Sequence, residues 1–256
     1  MVSLVVITFN EESNIMRCLQ SAAGLVDELL VVDSFSTDQT VRIAESLGAR
    51  VLLHAFEGYR EQKDWAIQQA RFDRVLVLDA DEALSIDLQQ QLTPLIHEWT
   101  HDGYFFNRLS RLSGRWIRHG AWYPDRKMRL FDRRHYQMAG ENPHDRIDPT
   151  PGARTKRIEA DILHYTNDTF DSRIDTINRF SRIAAAALFA KGVKGSLLRL
   201  LLKPPARFYS EYLWQCGFLD GFYGYFIART SAQYVFYRES KLWELCRGTL
   251  AEPLNG

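Results

Sequence analysis

Residues 2–8 (Val-Ser-Leu-Val-Val-Ile-Thr) form an almost continuous apolar run, the pattern of a strand buried on both faces. Asn10-Glu11-Glu12 ends it, and Ile15, Cys18, Leu19 and Ala22 then recur at helical spacing. Leu29 to Val32 predicts a second buried strand closing at Asp33. Ser36 and Gln39 read as a capping box for a helix through Val41, Ala44 and Leu47, which Gly48 stops. Arg50 to Leu53 is a third strand, residues 60–70 a helix, and Val75 to Leu78 a fourth strand ending at Asp79. Leu88, Leu92, Leu95 and Ile96 mark the next helix. Strictly alternating strands and helices predict a parallel sheet covered by helices. Such sheets bind ligands beyond the carboxyl ends of their strands. Three polar clusters fall there and should converge: Thr8-Phe9-Asn10-Glu11, Asp33-Ser34-Phe35-Ser36 and Asp79-Ala80-Asp81-Glu82.

From Gly103 to about Tyr165 the crossover period is lost. Short strand-like pieces (Tyr104–Leu109, Lys127–Phe131, Ile158–Tyr165) alternate with Gly, Pro and Asp turns, as in a mixed extension of the sheet. From Phe170 the chain reads helical, with Pro204-Pro205 interrupting an apolar run and a turn at Gly217–Gly221 before a last aromatic helix. The expected organisation is an α/β domain over residues 1–168, in halves 1–100 and 101–168, followed by a helical appendage at 169–256.

Composition narrows the class. The 46% hydrophobic content can supply a sizeable core. Cys18, Cys216 and Cys246 match neither a zinc spacing nor a disulfide framework, so a reducing, cytoplasmic setting is expected. Charge is uneven: residues 1–100 carry 7 basic against 16 acidic side chains, residues 101–207 carry 21 against 11. An acidic first part suits a metal-bearing site, and a basic middle suits an anionic partner. The opening run is too short for a signal peptide, and no uncharged apolar stretch reaches the length of a membrane span.

Asp79-Ala80-Asp81 is the sharpest chemical signal. Two carboxylates one residue apart at the end of a buried strand are costly unless compensated, and together they can reach one hard cation and its diphosphate. A solvated strand-to-helix turn would carry the same residues. Asp33 could accept hydrogen bonds from a base or ribose, or cap its own loop. Thr8, Asn10 and Glu11 are open in the same way, and Lys63 could meet a phosphate. In the segment 116–125, Trp116 and Trp122 suit sugar faces or simple core packing, and Asp125 adds a carboxylate. His144-Asp145 offers a metal ligand and a general base. There is no Gly-rich phosphate loop, which counts against dehydrogenases and P-loop ATPases.

Taken together these motifs resemble inverting family-two glycosyltransferases of the GT-A fold: Val-Ile-Thr-Phe-Asn-Glu-Glu at 6–12, Val-Val-Asp-Ser-Phe-Ser-Thr-Asp-x-Thr at 31–40, Gln-Lys-Asp-Trp-Ala-Ile at 62–67 and Leu-Asp-Ala-Asp-Glu at 78–82. Arg-His-Gly-Ala-Trp-Tyr-Pro-Asp at 118–125, Arg-Leu-Phe at 129–131, Asp-Ile-Leu-His-Tyr at 161–165 and Gly-Phe-Leu-Asp-Gly-x-x-Gly at 217–224 look like the lipopolysaccharide-core β-glycosyltransferase branch, the WaaE type. The resemblance implies a Rossmann-like mixed sheet with helices on both faces plus a C-terminal helical appendage. It implies a nucleotide-diphosphate-sugar donor held by Thr8, Asn10, Glu11, Asp33, Lys63, Asp79 and Ala80. It implies Mg²⁺ or Mn²⁺ on Asp81 with His144 as a further ligand. Asp145 would be the catalytic base, standing where the branch commonly has glutamate, with Asp125 as the second candidate. Arg126 or Arg129 would assist the leaving group. The acceptor would be a glycolipid or saccharide, and the enzyme cytoplasmic and peripheral at the inner face of the cell membrane. Basic and aromatic residues of the last helices fit that contact, as they would fit packing on the catalytic core or a dimer contact.

Three rivals are weighed against this. A sugar-phosphate nucleotidylyltransferase should show a Gly-rich loop where Thr8–Glu12 stands. A catalytically inactive nucleotide-sugar-binding protein would not need Asp79, Asp81 and Asp145. The basic middle carries no nucleic-acid-binding motif, so no nucleic acid is expected. A transferase with a non-lipid acceptor remains an alternative, and the oligomeric state is open.

Overall fold

In β1 (Val2–Thr8), Val2, Leu4 and Val6 join one buried apolar cluster and Val5 joins another, because successive side chains of a strand face opposite ways. A computed structural model describes residues 1–140, 145–166 and 169–248 of the chain. After β1 come α1 (Ile15–Ala22), β2 (Glu28–Asp33), α2 (Thr40–Ser46), β3 (Arg50–Leu53), α3 (Tyr59–Gln68) and β4 (Arg74–Asp79). β4 repeats the two-faced pattern of β1: Leu76 and Leu78 face the first cluster with Ile15 and Leu19 of α1, Val75 and Val77 the second with Ala66 and Ile67 of α3. The middles of these strands are apolar because helices cover both faces, and their polar residues stand near the ends.

The chain continues through β5 (Glu82–Leu84), α4 (Ile86–His97), β6 (Gly103–Leu112), β7 (Arg115–Trp116), β8 (Asp125–Asp132), β9 (Tyr136–Ala139), β10 (Arg146–Pro149) and β11 (Thr155–His164). The main sheet runs β3-β2-β1-β4-β8-β6-β11-β5. β3, β2, β1 and β4 are parallel, β8 is antiparallel to β4 and β6, and β5 is antiparallel to β11. This is the mixed sheet expected of a GT-A fold. Then follow α5 (Phe170–Ala190), α6 (Leu197–Tyr209) and α7 (Phe222–Cys246).

The residues divide into two compact units. One holds 1–110 and 125–166, the other 111–124 and 167–256. Residues 111–124, read from the sequence with the sheet extension, group with the C-terminal helices.

Two local expectations are corrected. Ser36 does not cap α2: its hydroxyl bonds Asp33, and α2 begins at Thr40 with no side-chain cap. Pro204-Pro205 do not interrupt α6, which runs through both. Proline's fixed φ suits a helix, and the cost is the two missing N–H donors and the ring clash one turn back.

In the second unit, Asp220 accepts the backbone N–H of Arg118 (2.9 Å) and His119 (2.7 Å), tying the 118–125 and 217–224 motifs together. Gly224 lies in the first turn of α7, so close to Gly217 that a Cβ would overlap the Gly217 carbonyl. Gly224→Ala should therefore lower stability by about 3 kcal/mol, against the roughly 1 kcal/mol gain that alanine normally brings to a helix. Denaturant unfolding checks this, and an unchanged or raised midpoint would contradict the packing described.

At the amino end of β2, Glu28 is buried and accepts from Ser3 (2.6 Å), the Arg71 N–H (2.8 Å) and the Arg50 guanidinium (2.8 Å). Burial pushes its pKa up, but these donors outweigh it and hold the carboxyl below the usual value. A depressed folded pKa gives stability that is fully present above the unfolded pKa, about 4.3, and is lost as pH falls through the folded value. Glu28→Gln should thus be less stable at neutral pH and lose less stability on acidification. Equal losses in both proteins, in urea titrations from neutral to acid pH, would contradict this.

Candidate functional site

A cavity of about 780 Å³ opens in the first unit where the carboxyl ends of β1 and β4 meet α3, β8 and the start of β10. The chain pattern dictates the place: parallel strands that end together leave their last polar residues on one rim.

The DxD turn is anchored from below. Asp79 accepts from Lys63 Nζ (2.8 Å) and Arg129 Nη2 (2.9 Å). Arg129 is itself buried and also donates to Glu82 Oε1 (2.7 Å). Glu82 closes the loop by accepting the Asp79 N–H at 3.0 Å. Burial opposes charge on Asp79, yet Lys63 and Arg129 hold its pKa well below the carboxylate range. Burial likewise pulls Lys63 down, and the Asp79 and Asp145 carboxylates more than offset it, so the ammonium titrates above the usual lysine. Asp79 is therefore neutralised by the protein itself. Arg129, considered from the sequence as a leaving-group partner, is bound to the two carboxylates beneath the turn. Arg126 pairs with Glu159 at 3.5 Å, and both arginines line the cavity.

Asp81 is held differently. His164, the last residue of β11, brings Nε2 to within 3.0 Å of Asp81 Oδ2, and Tyr165 donates its N–H to the Asp81 carbonyl (2.8 Å). Ser110 Oγ lies 3.1 Å from His164 Nδ1 and fixes the ring. Burial lowers the pKa of His164, but the Asp81 carboxylate outweighs it and the net shift is upward. His164 falls in the Asp-Ile-Leu-His-Tyr motif, where the sequence alone gives it no role. His144 lies outside the described residues.

Asp145 lines the cavity, with Oδ2 3.2 Å from Lys63 Nζ. Asp125 does not line it: its carboxylate is clamped by Arg108 (2.8 Å) and Lys127 (3.1 Å). Burial raises its pKa, but Arg108 and Lys127 pull it below the usual value, which makes it a poor proton acceptor.

The remaining sequence candidates separate. Thr8, Glu11, Lys63, Asp79 and Ala80 line the cavity. Thr8 Oγ1 is buried with no hydrogen-bond partner, a polar atom left for a ligand. Glu11 accepts from Asn14 Nδ2 (2.8 Å), and burial, its largest influence, leaves its pKa raised. Asn10 and Asp33 are not in the lining. The Asn10 side chain accepts the Thr37 N–H (2.8 Å), bridging two loops. Asp33 is 0% exposed and closes on the Ser36 N–H (2.7 Å) and hydroxyl. In the structure these two side chains bond within and between the loops after β1 and β2, and Ser34 is the lining residue of the second turn. Three half-exposed aromatics, Phe9, Phe56 and Tyr59, also line the cavity. Phe56 and Tyr59 carry no distinguishing pattern in the sequence, and only the fold brings them to the cavity.

Among the described residues, no three His, Cys, Asp or Glu side chains converge as a closed metal cage. Asp81 and His164 supply one oxygen and one nitrogen donor, an incomplete set that suits a cation sharing its shell with phosphate oxygens and water. Arg108, Arg126, Lys127 and Arg146 also stand on the cavity wall, each paired with a carboxylate, and give it a basic side fit for a diphosphate.

The chain was compared with known proteins. The model of "Glycosyl transferase family 2" matches residues 3–160. An "Uncharacterized glycosyltransferase" of Rickettsia bellii is 30% identical over 95% of this chain and 86% of its own. "Lipopolysaccharide core biosynthesis glycosyltransferase LpsC" of Rhizobium meliloti is 28% identical over 94% of this chain and 92% of its own. A crystal structure of glucosyl-3-phosphoglycerate synthase from Mycobacterium tuberculosis, with Mn²⁺, UDP and glucosyl-3-phosphoglycerate, aligns over 43% of this chain and 44% of its own, at 27% identity and a TM-score of 0.35.

Proposed function

The chain belongs to glycosyl transferase family 2 and draws on a nucleotide-sugar donor, and from that premise we propose that it is an inverting, metal-dependent transferase acting on a lipid-linked or lipopolysaccharide-core acceptor. The acceptor reading is supported by the end-to-end likeness to LpsC and by the 118–125 and 217–224 motifs, which resemble the lipopolysaccharide-core branch. It carries the expectation of a cytoplasmic enzyme peripheral at the inner face of the membrane.

The observation that carries the catalytic reading is Asp81 and His164 side by side at the mouth of a cavity that Lys63 and Asp145 also line. Asp81 and His164 would hold Mg²⁺ or Mn²⁺, and the bound ion supplies charge for the departing nucleoside diphosphate. Thr8 Oγ1 offers a hydrogen bond to the donor, and Phe56 and Tyr59 offer faces for its base. Asp145 takes the proton of the acceptor hydroxyl as that oxygen bonds to the anomeric carbon and the bond to the diphosphate oxygen breaks, with one inversion. Lys63 orients Asp145 and neutralises Asp79. Ser110 orients His164.

Nucleoside diphosphates tested by thermal unfolding decide the metal part. With Mg²⁺ or Mn²⁺ and ligand at about a hundred times its Kd, the wild type should gain about 2.7 kcal/mol. Asp81→Ala and His164→Ala should lose the metal-dependent share of that gain. Full stabilisation of both variants would rule out these ligands.

A further inference from the structure

We propose that α6 and the turn after it form a docking surface for an anionic lipid bilayer, with α6 lying in the interface and its leucine face turned to the acyl chains. Leu197, Leu198, Leu201 and Leu202 fall on two adjacent i, i+4 rows of one helix, and each is more than half exposed. Tyr209 at the end of the helix and Trp214 in the turn after it are also exposed, Trp214 at 88%. Among the described residues nothing covers these side chains. A soluble surface seldom carries so many large apolar groups together, so the patch marks a contact.

Two observations identify the occupant. First, charge: from Gly192 to Ser210 there is no acidic residue, while Lys194, Arg199, Lys203 and Arg207 all occur there. Arg199, Lys203 and Arg238 share a single carboxylate, Glu239. Arg207 is paired with Glu211 just beyond the helix, so two carboxylates face five cations and the flank of the leucine rows keeps net positive charge, complementary to anionic headgroups. Second, composition: leucines on one face, lysine and arginine along the flank, and tyrosine and tryptophan at the end are the make-up of an interfacial helix. A protein interface would be depleted of lysine. No helix among the described residues is long and apolar enough to cross a membrane, so the contact lies in the plane of one leaflet.

This surface deepens the lipid-linked acceptor proposed above and rests on that reading for its purpose, though not for its test. The full chain would be sedimented with vesicles of phosphatidylglycerol and phosphatidylethanolamine in equal parts, and with phosphatidylcholine vesicles. The expected result is binding to the anionic vesicles, weakened by salt, and reduced by about tenfold or more in Leu198→Glu/Leu202→Glu. Tryptophan emission should shift to the blue on binding, and Trp214→Phe should remove most of that shift. Stabilisation of the double variant by a nucleoside diphosphate with metal should match wild type, which shows that the first unit is intact. Wild type left in the supernatant, or a double variant that binds equally well, overturns the proposal. So does a wild-type dimer that the double variant splits without any vesicle binding, which would make the face a contact between copies. Vesicle binding as expected, with transfer only to a water-soluble saccharide, would instead refute the lipid-linked acceptor and leave the surface standing.

Discussion

Asp145→Asn should lower the rate of sugar transfer by about 10²–10⁴-fold while leaving nucleoside diphosphate binding close to wild type. Among the carboxylates that line the cavity, Asp79 is neutralised by Lys63 and Arg129, Asp81 faces His164, Glu11 accepts from Asn14 Nδ2 and Asp148 is paired with Arg146. Asp125 is outside the lining, held by Arg108 and Lys127. Asp145 lines the cavity with one described ion partner, Lys63, at 3.2 Å. Asparagine keeps the shape and removes the proton acceptor, so the loss should appear in kcat with KM for the donor little changed. Asp125→Asn should cost far less. A rate for Asp145→Asn within a few-fold of wild type, or a larger loss in Asp125→Asn, would move the base elsewhere. Steady-state kinetics on the two variants with one donor distinguish these outcomes.

Arg129→Ala should destabilise the fold by about 3–5 kcal/mol. The guanidinium is buried, and it bridges Asp79 and the fully buried Glu82. Burial opposes its charge, and the two carboxylates reverse that and raise its pKa further. Removing it leaves Glu82 with Arg108, at 3.6 Å, as its remaining ion-pair partner among the described residues. Arg129→Met with Glu82→Gln should recover a substantial part of the loss, since the uncompensated charge is then gone as well. Denaturant unfolding of the single and double variants gives both numbers. A loss below about 1 kcal/mol in the single variant, or no recovery in the double, would show that the pair is not what holds the turn.

These two residues also mark how far the sequence could be read. The parallel strands were legible because a strand buried on both faces must be apolar along its middle, and β1, β2 and β4 are, with polar residues kept to their ends. The DxD turn followed as the polar end of such a strand. Asp145 stood out as half of a His-Asp pair in a loop, and only the resemblance to a family motif singled it out as the candidate base. His164 was quoted and passed over because its partner Asp81 is 83 positions away, and they meet through β11 pairing with β5. β5 is three residues long, too short to show a period. Asp33 and Asn10 stand at strand ends, where a donor contact is expected, and in the structure Asp33 closes its own turn while Asn10 bridges to the neighbouring loop. A loop carboxylate or amide can serve the backbone or a ligand with the same atoms, and local pattern does not separate the two. Arg129 sits within the Arg-Leu-Phe motif, and only the fold reveals that it points beneath the turn to Glu82.

The most direct test of the central claim is transfer from a panel of nucleotide-diphosphate sugars to lipids extracted from membranes, with and without Mg²⁺ or Mn²⁺, for wild type and Asp81→Ala. The predicted result is sugar appearing in the lipid fraction with one donor of the panel, with inverted configuration, dependent on metal and lost in the variant. Equal transfer without metal and by Asp81→Ala would contradict the metal site. Transfer confined to water-soluble saccharides would contradict the acceptor.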